Sequence, residues 1–157
     1  MSFDLFLVSF HDGKNVAADA PAAKAILDAV KFQHDPRFDS YVIDFDDGSH
    51  AEMYAGGLDG AGKEFDGGMI ALRGMSEAIG DFIFEFSRAA GCVMFPAIEG
   101  ACVLVPQDDL AKHLPKDITE KMKVIQIASG AELLAALSGG YDAWRAYRDR
   151  IVGESKQ

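Results

Sequence analysis

The residues of this chain best suited to chemistry gather between positions 41 and 66. His50-Ala51-Glu52 sets an imidazole and a carboxylate two residues apart, and on a strand such residues project from one face. Pairing about an Asp47-Gly48 turn would place Phe45 beside His50 and Ile43 beside Glu52. Tyr41 and Tyr54 then supply aromatic walls to an acid/base pair, which is the small-molecule or enzyme reading of the chain. A half-solvated sheet face accounts for the same residues without any function. His-x-Glu also opens the zinc deaminase signature, but the Pro-Cys-x-x-Cys that completes it is missing, and Cys92 and Cys102 are wrongly spaced.

Other motifs fail on the chemistry they require. Gly57-x-x-x-x-Gly62-Lys63 has P-loop spacing, yet Glu64 stands where a magnesium-binding hydroxyl is needed and no helix N-terminus follows. The acidic turn Asp44–Gly48 puts Ser49 and Ala55 at the sixth and twelfth positions of an EF-hand loop, where Gly and Glu are required. His11, His34 and His113 have no second ligand three or four residues away, so local spacing implies no metal site and no cofactor. No Gly-x-Ser-x-Gly elbow occurs, and neither cysteine has a neighbouring base, so no catalytic residue is assigned. Trp144, Arg145, Tyr147, Arg148 and Arg150 form a basic aromatic cluster, read as a helix docked through its rings with solvated arginines.

Charge is the more distinctive property. The chain carries 25 acids against 15 bases, a formal net charge of −10, which disfavours phosphate backbones and anionic lipid headgroups as partners. Residues 35–66 concentrate the excess, with nine acids against Arg37 and Lys63. Asp44, Asp46, Asp47, Asp59, Glu64 and Asp66 are therefore the candidate surface for a basic macromolecular partner.

Those residues must be carried by elements, and the apolar pattern gives their order. Residues 3–10 read as a well-covered strand, and Asp19 with Pro21 starts a helix that runs to Asp35-Pro36. A hairpin of about 40–46 with 49–55 follows, then the glycine-rich stretch 56–68, read as a flexible connection, and a strand at 69–73. Ser76 caps a helix with Ile79, Phe82, Ile83, Phe86 and Ala90 on one stripe and Glu77, Asp81, Glu85 and Arg88 facing away. Phe84 falls on the polar side, so another element must cover it or it stays exposed. Residues 92–95 and 101–105 form a buried hairpin whose register keeps Cys92 and Cys102 apart, so no disulfide is expected. Two short helical segments broken by Pro115, a strand at 124–127, a capping box from Ser129 to Glu132 and a helical C-terminus complete the chain.

The expected fold is α+β, in the order β-α-β-β-β-α-β-β then helices. A mixed or antiparallel sheet carries helices mainly on one face, in a single domain over residues 1–153 with a disordered tail at 154–157. No signal peptide or apolar run of membrane-spanning length is present, and two cysteines in apolar strands suit reduced thiols, which points to the cytoplasm.

The opening Met1–Gly13, the strand Val42–Asp47 and the segment Ala111–Pro115 resemble a group of small bacterial proteins to which no activity is assigned. The resemblance implies a bacterial source and transfers no site residue. Size, acidity and build also resemble, in type, the immunity proteins that neutralise secreted toxins. The leading expectation is a non-enzymatic acidic binding protein for a basic protein partner. The alternative is a small-molecule site at His50 and Glu52. A homodimer through a sheet edge or Phe84 is compatible with both.

Overall fold

The computed structural model describes residues 3–60, 64–72, 74, 76–97 and 102–137. The helix expected over 141–152, with Trp144 and Tyr147, and the tail at 154–157 lie outside the described residues.

The fold is α+β, built on one eight-stranded sheet. Its strands are β1 (Phe3–Val8), β4 (Lys31–Asp35), β5 (Ser40–Asp44), β6 (His50–Tyr54), β7 (Gly67–Leu72), β8 (Val93–Pro96), β9 (Cys102–Val105) and β10 (Lys123–Gln126). They lie in the order β10-β9-β8-β1-β7-β6-β5-β4, and β10 pairs parallel to β9 while every other pairing is antiparallel. A two-stranded ribbon, β2 (Phe10–His11) with β3 (Lys14–Asn15), stands apart from the sheet. The helices are α1 (Ala20–Asp28), α2 (Glu77–Ala90), α3 (Asp108–Ala111), α4 (Lys116–Lys121) and α5 (130–137).

Period-two alternation sets the two faces of the sheet. Leu5, Leu7, Tyr41, Ile43, Ala51, Met53, Ile70, Leu72 and Met94 point to the face that α1, α2 and α5 cover, and they form the main core. Val93, Val103 and Val105 point the other way into a second cluster closed by Leu110, Leu114 and Ile118 of the α3–α4 segment and by Phe10 of the ribbon. Strands β8 and β9 are thus covered on both sides, which explains their unbroken apolar sequence. Elsewhere on that second face no described helix covers the sheet, and Phe6 and Tyr54 are 43% and 37% exposed.

Local chemistry sets the helix ends. The Asp19 carboxylate accepts from the Ala22 amide, Ser76 Oγ accepts from the Ile79 amide, and Gly91 closes α2 in the left-handed conformation. Helix α2 is buried on three sides. Gly80 and Gly130 allow α5 to cross so closely that a Cβ on Gly130 would lie 2.6 Å from the Asp81 amide nitrogen. Phe84 is buried with the Arg88 guanidinium over its ring, so it is covered and offers no surface to a second copy.

Three expectations change. The first helix ends at Asp28 instead of Asp35, because Lys31–Asp35 joins the sheet as the edge strand β4. The β5–β6 hairpin pairs Asp44 with His50 and Val42 with Glu52, one residue away from the expected register. The turn is the three-residue Asp46-Asp47-Gly48 closed by Phe45 and Ser49, with Gly48 at φ 86°, instead of a two-residue turn. The described parts of the glycine-rich stretch, 56–60 and 64–68, are anchored, since Leu58 and Phe65 are buried and the Ala18 amide donates to the Phe65 carbonyl.

At Gly67, opposite Val8, β7 lies close against β1. With φ 144°, a Cβ there would stand 2.1 Å from the Leu7 carbonyl oxygen, inside the sheet. Gly67→Ala is expected to lower unfolding free energy by about 2–3 kcal/mol in urea denaturation, through overpacking of backbone that cannot yield. An unchanged midpoint would show that the close approach is not rigid.

Candidate functional site

The acidic hairpin tip meets the helices at a groove of about 460 Å³. Ile26, Ala29 and Val30 at the end of α1, Phe45 of the hairpin, and Ala78 and Phe82 of α2 make its apolar floor. Asp44, Asp46, Asp81 and Glu85 surround that floor with carboxylates, against the single base Lys31. Glu85 is engaged by Arg88, whereas among the described residues Asp44, Asp46 and Asp81 form no ion pair. An apolar trough with an anionic rim suits a group that is itself apolar along its body and cationic at its edge.

The hairpin tip is held by its own polar groups. The Asp47 carboxylate accepts from both the amide and the hydroxyl of Ser49, bonds that keep its pKa below the usual carboxylate value. Ser49 Oγ lies 2.9 Å from Ser76 Oγ, which joins the turn to the cap of α2. Asp47 therefore shapes the turn, while Asp44 and Asp46 line the groove.

The remaining expected acids lie elsewhere. Asp59 follows β6 and Asp66 precedes β7, so both sit at the opposite end of the strands from the hairpin tip, roughly 15 Å away for a five-residue strand. Glu64 is exposed near that same end. Asp35 is taken up by Arg37 at 3.0 Å. The acidic run thus divides between two ends of the sheet, and Asp81 and Glu85 join its hairpin half. Both were expected on the solvent side of α2. Their i, i+4 spacing beside Ala78 and Phe82 is the signal that marks them as a rim.

The alternative pocket does not assemble as expected. His50, Glu52 and Tyr54 share the open face, where the Tyr54 hydroxyl lies 3.4 Å from Glu52 Oε2. Tyr41 projects from the other face into the core and is only 1% exposed, so it cannot wall the same site. The one-residue register difference also sets Glu52 opposite Val42 and His50 opposite Asp44.

Two side-chain clusters arise from residues far apart in sequence. His11, Asp12 and His113 meet where the β2–β3 turn touches the α3–α4 junction, with the imidazoles stacked at 4.4 Å and the Asp12 amide donating to His113 Nδ1. His34, Asp39 and Asp59 meet at the far end of β5 from the groove. Spacing along the chain hides both, because each histidine finds its partners across strands or loops.

Cys92 and Cys102 are free and buried. Burial pushes the Cys92 thiol up to about 12, with the Asp66 charge adding to it, and burial raises Cys102 as well. A thiolate nucleophile is therefore disfavoured at neutral pH.

Comparison with known proteins finds no matching family model, no matching curated protein and no matching solved structure. Among the described residues no helix is long and apolar enough to cross a membrane.

The thiols give a direct check on this site chemistry. At pH 8 a disulfide reagent such as Ellman's is expected to leave both cysteines of the folded protein unmodified over minutes and to titrate both at once in denaturant. Rapid reaction of either in the native state would contradict its burial.

Proposed function

We propose that the chain is a non-enzymatic binding protein that takes a basic, amphipathic segment of a protein partner into the groove between α1, α2 and the β5–β6 hairpin. One observation carries this reading: four carboxylates and a single lysine surround a floor of six apolar side chains in a groove of about 460 Å³. A flat acidic surface would attract any polycation. An apolar floor adds selection for a partner that also has something to bury.

The helix-in-groove mode matches this lining of apolar floor and acidic rim. A segment presenting apolar anchors at i, i+3 or i, i+4 fills the trough, and flanking lysines or arginines reach Asp44, Asp46 and Asp81. The net charge of −10 supports the same choice of partner by steering basic molecules toward the surface. A toxin-neutralising role of the immunity-protein type, on a bacterial protein, is one form of this reading. The His50 and Glu52 reading gains no support from the geometry, because Tyr41 lies across the sheet from them.

Titration with a synthetic Leu/Lys amphipathic helical peptide, followed by amide chemical shifts, tests the reading. Shifts are expected to concentrate on Ile26–Lys31, Asp44–Asp46 and Ala78–Glu85. Asp46→Lys combined with Asp81→Lys is expected to weaken binding at least about tenfold at low salt, and added salt to weaken the wild type. Shifts spread evenly over the surface, or affinity unchanged in the double variant, would reject the groove as the docking site.

A further inference from the structure

We propose that His34, Asp39 and Asp59 form a binding site for one first-row divalent metal ion of the zinc or cobalt kind, separate from the groove and independent of its function. The three ligand atoms all lie within 4.8 Å of one another. His34 Nε2 and Asp59 Oδ2 are 3.9 Å apart, too far for a hydrogen bond. Two donors each about 2.1 Å from an ion stand about 3.0–4.2 Å apart, depending on angle, so a small side-chain rotation closes the set around a metal.

A second observation points to a ligand at this place. The Tyr41 side chain is 1% exposed, and its hydroxyl has no hydrogen-bond partner among the described residues. His34 Nε2 is likewise buried without a hydrogen bond, although the ring as a whole is partly accessible. The two rings stack face to face at 4.2 Å with an interplanar angle of 2°. Buried polar atoms are almost always satisfied, so two orphans on adjoining rings beside a pair of carboxylates call for a missing partner. An ion ligated by His34 Nε2, with a coordinated water donating to the Tyr41 hydroxyl, satisfies both orphans together.

The fold holds the ligands on three different segments. His34 stands on edge strand β4 opposite Tyr41, and Asp39 occupies the turn into β5, where its carbonyl accepts from the Ala55 amide. Asp59 is carried over His34 by the loop that buried Leu58 anchors. One imidazole with two carboxylates favours zinc, cobalt, nickel or manganese over calcium and magnesium, which prefer oxygen-only sets.

Cobalt titration of the full chain, read by visible absorbance and by zinc competition, tests the site. One ion per chain is expected to bind saturably, with zinc displacing it and excess magnesium leaving it in place. His34→Gln, Asp39→Asn and Asp59→Asn are each expected to weaken binding at least about tenfold, while His11→Gln with His113→Gln leaves affinity within about twofold. Should His34→Gln disturb folding through the lost ring stack, Asp59→Asn on its loop still decides the matter. The proposal is overturned if no saturable binding occurs below about 100 µM metal, if the Asp59 variant binds as the wild type does, or if the His11/His113 variant abolishes binding. Loss of metal binding leaves the groove titration untouched, so the two readings fail separately.

Discussion

A row of aromatic rings along α2 is the contact on which the rest of this structure depends. Phe45 packs on Phe82 at 5.8 Å, Phe82 on Phe86 at 5.6 Å, and Phe86 on Phe65 at 6.3 Å. Each such pair contributes about 0.5–1.5 kcal/mol beyond the area it buries. The row also has a geometric effect, because its two ends belong to segments that sequence alone would leave loose. Phe45 fixes the hairpin tip against the helices and thereby makes a groove out of an acidic turn. Phe65 fixes the end of the glycine-rich stretch, the same stretch in which Leu58 brings Asp59 over His34.

Legibility followed the strength of local signals. The Ser76 cap, the Gly91 terminus, the Asp19-Pro21 start and the antiparallel pairing of β8 with β9 involve chemistry written within a few residues, and these were readable, whereas the parallel pairing of β10 with β9 was not. Strand β4 was hidden because Lys31-Phe32-Gln33-His34-Asp35 has the polar make-up of an edge strand and continues directly from a helical apolar stripe. The hairpin register turned on whether Asp47-Gly48 forms a two-residue turn or the end of a three-residue one. The bonds from Ser49 to Asp47 decide it, and one residue of slip was enough to change every partner of His50 and Glu52.

The candidate sites were legible only in part for a related reason. Asp44 and Asp46 stood out as charge density, but Asp81 and Glu85 read as an ordinary solvated helix face until the hairpin was laid beside them. Six glycines between 56 and 68 suggested a chain with nothing to bury, yet Leu58 and Phe65 are buried. Composition averages over a segment, whereas anchoring depends on one or two side chains. The three ligating residues proposed near Tyr41 come from a strand, a turn and a loop, and no spacing rule connects them.

Strand β1 lies in the middle of the sheet although it comes first in the chain, between β7 and β8. On the ribosome it emerges long before either neighbour exists, and at about 5–20 residues per second the wait for β8 is on the order of 10 s. During that interval a run rich in Phe and Leu has both edges unpaired. Joining the two halves of the sheet is consequently a late event, possible only when β8 pairs with a strand synthesised well before it.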